Sequence, residues 1–343
     1  MKTKKIYEKF SKPSQDISKV KESFIINNDR LVKNNLRIIN FLRKQPLRNK
    51  CKNCCYKLKK KIDFFSHGMG YKICPKCSHL NSNNNDGEKF HKKIYNDNNF
   101  SYEQNYLKNF NLRVKNIYLP KLDFILDFLK KQKIKKINLL DIGSGSGHFI
   151  KACNLRGINS EGLESNIKMI KLGEKFINKD SLFHVSNFEK SLEKIKKGNY
   201  TVVTLIAVIE HLKDPNKIFE TFKISKNKYL FLSIPLFSLS AFIDKAFQNI
   251  YPRHTAATHP HIYTYKSINF ILKKYKLKIC GEWWFGSDFI DLNRSLICSN
   301  SKKNSNIVFR KLKDIFSNEI NNLQSVLDKK KLSSEVHLII KKN

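Results

Sequence analysis

The sequence predicts an α/β fold, in which a mostly parallel sheet is covered by helices and preceded by a small cysteine-containing module. Three observations predict this fold. Strand-like and helix-like segments alternate from residue 136 onward, a glycine-rich loop separates the first of these strands from its helix, and two Cys-x-x-Cys pairs lie upstream. With 343 residues, the chain is long enough for one full α/β domain and a smaller unit.

The chain is strongly basic, with a formal net charge of +37 from 66 Lys and Arg residues against 29 Asp and Glu residues. Such a charge attracts polyanions, whether nucleic acid, nucleotide-linked substrates or an anionic membrane surface. The lysines are spread over the whole length, however, and abundant Lys, Asn and Ile with little Arg is typical of translation from an AT-rich genome. We therefore favour coding bias as the origin of the charge, and nucleic acid is an alternative partner rather than the favoured one.

No segment of the sequence predicts a membrane span. The longest apolar stretches, 201–209 and 229–239, are too short or too interrupted to cross a bilayer. The basic N-terminus is not followed by the apolar core of a secretory signal. We expect a cytoplasmic protein.

Composition divides the chain into three parts. Residues 1–50 form a basic segment in which apolar recurrence predicts a helix over 23–43. Residues 51–80 form the cysteine module, and the polar run 81–87 is the clearest linker. The main domain is predicted at residues 88–343.

Within the main domain, strand and helix patterns alternate as a parallel sheet requires. Strands are predicted at residues 136–142, 159–163, 183–185, 201–207, 228–234, 277–285 and 335–341. Helices are predicted at residues 119–131, 147–156, 167–176, 215–225, 267–275 and 306–330. Two insertions interrupt the pattern: an irregular one at 236–265, expected to contact substrate, and a helical one at 286–333.

The loop after the first of these strands carries Asp141, followed by glycines at every second position: Gly143, Gly145 and Gly147. Glycines let the chain pass close to a ligand without a Cβ in the way, and they adopt positive φ readily. The dinucleotide pattern G-x-G-x-x-G is absent, and an acidic residue at the strand end suits a cationic group and repels a pyrophosphate.

A second carboxylate, Glu164, ends the next strand, 23 positions after Asp141. This is about where a carboxylate binds ribose hydroxyls in nucleotide-binding α/β folds. Glu161 is the competing candidate, but it lies inside the strand. Together with the glycine loop, Glu164 predicts a nucleoside-binding site.

The pair Glu210-His211 follows the buried strand at 201–207 and so lies at the carboxyl edge of the sheet, where open α/β sheets bind ligands. Histidine is the natural proton acceptor near neutral pH. We expect His211 to act as a general base, with Glu210 orienting or tuning it; the alternative is that the pair is a structural signature. His259 and His261, in the first insertion, are expected to contact the substrate or form a lid, the alternative being metal ligands.

The cysteine module contains Cys51-x-x-Cys54 and Cys74-x-x-Cys77, separated by 19 residues. In a chain without an export signal, such pairs indicate metal ligands before disulfides. Four thiolates make a closed tetrahedral site, which is typical of structural zinc. Other candidates for a ligand position are Cys55, His67 and His79.

Residues from about 119 to 285 resemble the class I S-adenosylmethionine-dependent methyltransferases. They look most like the branch that contains ubiquinone-biosynthesis O-methyltransferases and sugar C-methyltransferases. The matching elements are LLDIGSGSGHFI, EGLESN, FHVSNFEK and YTVVTLIAVIEHLKDP. The resemblance implies a Rossmann-like, seven-stranded sheet with helices on both faces and an antiparallel last strand, for which 335–341 is the candidate.

The resemblance also implies the roles of the cofactor-site residues. Asp141 and the three loop glycines would contact the methionine part of S-adenosylmethionine, and Glu164 would hold the ribose. Asn187 falls at the position that contacts adenine, where the family more usually has Asp; an amide can still bind the exocyclic amine.

The acceptor implied by the resemblance is a small molecule or glycan, most simply a sugar or nucleotide-linked sugar for a surface polysaccharide or a glycosylated metabolite. Sugar C-methyltransferases also carry paired cysteines ahead of the catalytic domain, with a longer spacing, and use a Glu-His pair in proton abstraction. One alternative is a quinone-type small-molecule O-methyltransferase. Another is an RNA methyltransferase that uses the zinc module and the basic surface. The long helix before the last strand is a candidate homodimer contact.

Overall fold

The computed structural model describes residues 6–13, 20, 23–96, 109–177, 179–301 and 306–343. Its strands are β1 (Tyr7–Phe10), β2 (Phe64–Ser66), β3 (Met69–Ile73), β4 (Leu80–Ser82), β5 (Asn138–Ile142), β6 (Asn159–Glu164), β7 (Leu182–His184), β8 (Val202–Ile206), β9 (Tyr229–Pro235), β10 (His261–Ile262), β11 (Leu277–Trp284) and β12 (Glu335–Lys342). Its helices are α1 (Ser23–Ile26), α2 (Asn28–Arg43), α3 (Glu88–Asn96), α4 (Phe110–Arg113), α5 (Leu119–Lys131), α6 (His148–Leu155), α7 (Ile167–Gly173), α8 (Phe188–Lys197), α9 (Asn216–Ile224), α10 (Leu239–Ala246), α11 (Tyr265–Lys274), α12 (Asp288–Ser301) and α13 (Asn306–Lys329). Parts of the basic N-terminal segment, residues 1–5, 14–19 and 21–22, lie outside the described residues.

The main sheet has the strand order β1-β11-β12-β9-β8-β5-β6-β7. Neighbouring strands are parallel except around β12, which is antiparallel to both β9 and β11. The alternation of strands and helices from β5 to β9 confirms the predicted α/β fold, and β12 confirms the predicted antiparallel last strand.

Helices cover both faces of this sheet because successive strand residues point to opposite sides. In β5, Leu140 and Ile142 belong to a core that α8, α9 and α11 close, whereas Leu139 belongs to a second core with α5, α6, α12 and α13. The carboxyl ends of β5, β6 and β8 therefore meet at one edge between the two helical layers. Open α/β sheets bind their ligands at this edge.

The main sheet has eight strands, not the expected seven, because β1 adds to its edge. Tyr7–Phe10 pairs in parallel with the carboxyl half of β11. The Tyr7 ring stacks on Phe124 with centroids 5.4 Å apart, and Trp283 Nε1 donates a hydrogen bond to Ser11 O at 3.0 Å. Four residues in a basic segment show too little apolar alternation to predict a strand, and the partner strand lies far along the chain.

A second sheet, with the order β10-β4-β3-β2, joins the cysteine module to the insertion at 236–265. His261 and Ile262 of β10 pair with Asn81 and Leu80 of β4. The insertion thus completes the sheet of the module, which sequence spacing could not predict.

The polar run 81–87 is folded into the protein, whereas the sequence predicts a linker there. Its first two residues belong to β4 and are buried, and Asp86 is buried in ion pairs with Arg48, Lys52 and His91. Polar composition was misleading here because the polar side chains satisfy one another inside the fold.

The insertion also contains a helix, α10, where the sequence predicts irregular structure. Asp288 at the start of α12 anchors this segment: its Oδ1 accepts a hydrogen bond from Ser238 Oγ at 2.9 Å, and its Oδ2 accepts one from the Ser334 N–H at 3.0 Å. Insertion and last strand are therefore tied together beside the carboxyl edge of the sheet. In the described parts of the chain, each helix is too short or too polar to span a bilayer.

Candidate functional site

The glycine loop between β5 and α6 turns sharply because three alternate glycines adopt positive φ: +69° at Gly143, +57° at Gly145 and +75° at Gly147. A Cβ on Gly143 would lie 2.7 Å from Val208 Cγ2, and one on Gly147 would clash with Ile177. At Gly145, by contrast, the nearest atom would be Met169 Cε at 3.7 Å, an ordinary contact distance, so a Cβ there would meet no clash. Two glycines let the loop pack against the protein, and the middle one leaves room for a ligand.

Glu164, at the end of β6, holds the middle of this loop. Its Oε2 accepts a hydrogen bond from the Gly145 N–H, and its Oε1 accepts bonds from the N–H groups of Ser165 and Asn166, all at 2.8 Å. The carboxylate and the loop peptide are therefore in direct contact at the carboxyl edge of the sheet. The competing candidate, Glu161, instead pairs with Lys194 and accepts a hydrogen bond from the Tyr200 hydroxyl, away from the loop.

Asp141 lies beneath the loop at the end of β5 and is only 2% exposed. Its Oδ1 accepts a hydrogen bond from Thr204 Oγ1 at 2.5 Å. Burial raises the pKa of Asp141 to about 7, because the charged carboxylate has lost water and the Thr204 bond compensates only in part. A cationic group above the loop would find a counter-charge here.

Asn187 is exposed and caps α8. Its Oδ1 accepts a hydrogen bond from the Lys190 N–H at 3.0 Å, as N-cap asparagines do. This position follows β7 on the same edge of the sheet as Glu164.

Glu210 and His211 lie in the 3₁₀ turn that follows β8. Glu210 is 1% exposed, and its Oε1 lies 4.0 Å from His211 Nε2. Among the described residues, Oε2 of Glu210 has no hydrogen-bond partner. Burial raises the pKa of this carboxyl to about 8.

The insertion brings His259 against His211, with ring centroids 4.7 Å apart. His211 Nδ1 lies 2.8 Å from Thr258 O, and His259 Nδ1 lies 3.0 Å from His254 O. A carbonyl can only accept, so both Nδ1 atoms carry the proton and both Nε2 atoms are the basic nitrogens. Burial lowers the pKa of His211 to about 4 and that of His259 well below its usual value, which keeps both rings neutral. One potential ligand atom from each of Glu210, His211 and His259 lies within 4.8 Å of the others.

His261, expected beside His259, lies elsewhere. It is fully buried in β10, and its Nδ1 is 2.9 Å from Nε2 of His79 in the cysteine module. His259 lies in the turn before β10, whereas His261 is the first residue of that strand, so the alternation of a single strand does not relate their side chains. His261 thus links the insertion to the module.

The four cysteines of the module converge. Sγ atoms lie 3.7 Å apart for Cys51 and Cys77 and 3.5 Å apart for Cys54 and Cys74, and all four offer ligand atoms within 4.8 Å. Thiolates bound to one tetrahedral zinc at about 2.3 Å lie about 3.8 Å apart, so the donor set fits that ion. Asn53 and Asn81 donate amide N–H groups to Cys77 and Cys51 at 3.6 and 3.7 Å, an arrangement that stabilises thiolate charge.

Two supports of the site carry no local sequence signal. Thr204 holds Asp141 from the neighbouring strand. Asp244 of α10 accepts backbone N–H bonds from Arg253, His254 and Thr255 at 2.8–3.2 Å and so shapes the turn whose carbonyl orients His259. Both contacts join segments that are distant in the sequence, so motif spacing could not predict them.

In a comparison with known protein families, residues 112–280 match the family described as a methyltransferase domain. Similar solved structures include an S-adenosylmethionine-dependent methyltransferase from Archaeoglobus fulgidus, with 22% identity over 71% of this chain and 100% of that one and a TM-score of 0.44. The plantazolicin methyltransferase BpumL, solved with S-adenosylhomocysteine, shows 12% identity over 74% and 93% of the two chains, with a TM-score of 0.46. The O-methyltransferase of a polyketide synthase from Brevibacillus brevis shows 17% identity over 74% and 79%, with a TM-score of 0.39. No curated protein matches the chain.

Proposed function

We propose that this enzyme, an S-adenosylmethionine-dependent methyltransferase, methylates a sugar or nucleotide-linked sugar during the synthesis of a surface polysaccharide or glycosylated metabolite. The observation that carries the proposal is the polar character of the edge after β8. A buried carboxyl, Glu210, and two imidazoles, His211 and His259, meet there. Groups of this kind can bind the several hydroxyls of a sugar, whereas a quinol offers fewer hydroxyls beside its hydrophobic ring.

The cofactor would lie beside the glycine loop and Glu164 at the carboxyl edge of the sheet in this proposal. Asp141 supplies the negative charge for the ammonium of the methionine part, and the peptides of Gly143, Gly145 and Gly147 line it. Glu164 accepts hydrogen bonds from the ribose hydroxyls in addition to the Gly145 N–H that it already binds. Asn187, at the end of β7, presents its amide to adenine.

S-adenosylmethionine supplies an activated methyl group: the acceptor forms a bond to the methyl carbon as the sulfur–carbon bond breaks and the sulfur regains an electron pair. The enzyme's task is alignment of the two reactants and removal of one proton. His211 Nε2 takes that proton in our proposal, because its Nδ1–H is committed to Thr258 O and fixes the tautomer. Glu210, with Oε1 4.0 Å from this nitrogen, orients and tunes the ring.

The module holds a structural zinc in this account. Cys51, Cys54, Cys74 and Cys77 would fill all four positions of a tetrahedral ion, which leaves no open position for chemistry. The ion would fix the small second sheet, whose fourth strand, β10, belongs to the insertion at the acceptor edge.

The acceptor class is tested by methyl transfer from labelled S-adenosylmethionine to three panels: nucleotide sugars, hydroxylated quinols and short RNAs. Transfer to a nucleotide sugar, lost in His211→Ala but not in His184→Ala, supports the proposal; His184 is exposed at the end of β7 and serves as the control. Transfer only to quinols or RNA would overturn it.

A further inference from the structure

The cluster of Glu210, His211 and His259 has the composition of a metal centre separate from the four cysteines. Two imidazoles and a carboxylate form the donor set of many transition-metal sites with open positions. One ligand atom from each residue lies within 4.8 Å of the others, and Glu210 Oε1 and His211 Nε2 are 4.0 Å apart. Bonds of about 2.1 Å to one ion require ligand separations near 3.4 Å, so the side chains need to close by roughly 1 Å.

Both histidines are already oriented as metal-binding histidines are. Such rings usually donate the N–H of their second nitrogen to a carbonyl or carboxylate, which fixes the tautomer and aims the other nitrogen at the ion. His211 donates to Thr258 O and His259 donates to His254 O. In each of these two neighbouring rings a backbone carbonyl holds the N–H group, and packing of the rings against each other does not by itself require this arrangement.

The carboxyl group adds an independent observation. Glu210 is 1% exposed, and its Oε2 makes no hydrogen bond within the described part of the chain. A buried polar atom without a partner is costly, and an ion at this position would compensate it. His211 and His259 are only partly buried, so the site keeps an open side through which an ion and water can enter.

We propose that Glu210, His211 and His259 bind a divalent transition-metal ion, with Zn²⁺ and Co²⁺ as the fitting ions. Imidazole nitrogens favour these ions over Mg²⁺ and Ca²⁺, which prefer oxygen ligands. The ion would bind Nε2 of His211, the atom that is proposed above to take the proton from the methyl acceptor. A bound ion would therefore block proton transfer to this nitrogen, and we expect it to inhibit methylation. This consequence rests on the proposed function, whereas the binding of the ion does not.

The test measures how many zinc ions each chain binds. Untagged wild-type protein, His259→Ala and the control His184→Ala are dialysed against the same Zn²⁺ concentrations, and bound zinc per chain is measured by elemental analysis. The cysteine site is common to all three proteins, so it cancels in the comparison. We expect wild type and His184→Ala to bind one ion per chain more than His259→Ala. Glu210→Gln should weaken this additional binding at least tenfold.

Equal zinc content in wild type and His259→Ala would overturn the proposal. S-adenosylhomocysteine binding to each variant shows that it is folded and tests the proposed function by a separate readout. Loss of nucleoside binding with the extra ion retained would count against the proposed function alone. Titration with Co²⁺ gives a second measurement, since the extra site should show the absorption of a nitrogen- and oxygen-ligated ion, and this signal should be absent in His259→Ala.

Discussion

The Glu164 carboxylate accepts a hydrogen bond from the backbone N–H of Gly145 across 2.8 Å, and so joins the end of β6 to the middle of the glycine loop. This bond couples two functions that the sequence presents as separate motifs. The carboxylate shapes the loop, and in the proposed function it would offer its remaining acceptor capacity to the ligand.

Glu164→Gln should weaken S-adenosylhomocysteine binding by roughly 10- to 100-fold, because hydrogen bonds to a charged group contribute about 1.5–3 kcal/mol. Calorimetric titration measures the change. Glu161→Gln is the matched control from the same strand, since Glu161 pairs with Lys194 and not with the loop. Equal weakening in the two variants would show that Glu164 has no special contact with the ligand.

Asp141 should make S-adenosylhomocysteine binding depend on pH. Its pKa is raised to about 7, so the carboxylate that attracts the ligand's ammonium is the minor form below pH 7 and the major form above it. Affinity should rise about tenfold between pH 6 and pH 8, as a pKa near 7 requires. Binding to Asp141→Asn should be weaker and nearly independent of pH over this interval.

Thr204→Val extends this test. The variant removes the hydrogen bond that lowers the pKa of Asp141, so the rise in affinity should move to higher pH. A pH profile unchanged in both Thr204→Val and Asp141→Asn would exclude Asp141 as the titrating group.

Gly143→Ala should destabilise the protein by about 1–3 kcal/mol, because the new Cβ meets Val208 and the backbone has positive φ. The second change Val208→Ala should restore part of the loss by removing the clash. Gly145→Ala, with no atom closer than 3.7 Å to its Cβ, should show only the smaller conformational cost. Denaturant unfolding measures all of these variants. Equal losses in Gly143→Ala and Gly145→Ala would show that contact with Val208 does not matter.

Cys74→Ser should remove one zinc ion per chain and lower the thermal midpoint, because the ion's binding energy stabilises the folded module. The matched control is Cys55→Ser: Cys55 is exposed beside Cys54 and is not part of the four-cysteine cluster. The control should retain its zinc. Loss of zinc in Cys55→Ser with retention in Cys74→Ser would reassign the ligands.

The parts of the fold that the sequence predicts are those with a local signal. The glycine spacing from Gly143 to Gly147 reflects positive φ at each position, and the alternation of apolar segments between 136 and 234 reflects a sheet covered on both faces. Such signals lie within a few residues of one another, so one sequence suffices to recognise them.

Other features depend on contacts between distant segments. β1 joins the sheet only because the edge of β11 is available, and β10 joins the module only because the insertion folds back onto β4. The approach of His259 to His211 depends on the turn that Asp244 holds, 15 residues earlier in the chain. Periodicity and motif spacing contain no information about such pairings.

Titration with S-adenosylhomocysteine, comparing wild type with Gly145→Arg, tests the central claim most directly. A Cβ on Gly145 would meet no atom closer than Met169 Cε at 3.7 Å, so the middle of the loop can carry an arginine side chain beside the position proposed for the nucleoside. We predict stoichiometric binding to the wild type and none to the variant, with zinc content and circular dichroism unchanged. A folded, zinc-loaded wild type that does not bind, or a variant that binds equally well, would contradict the assignment of the glycine loop as the cofactor site.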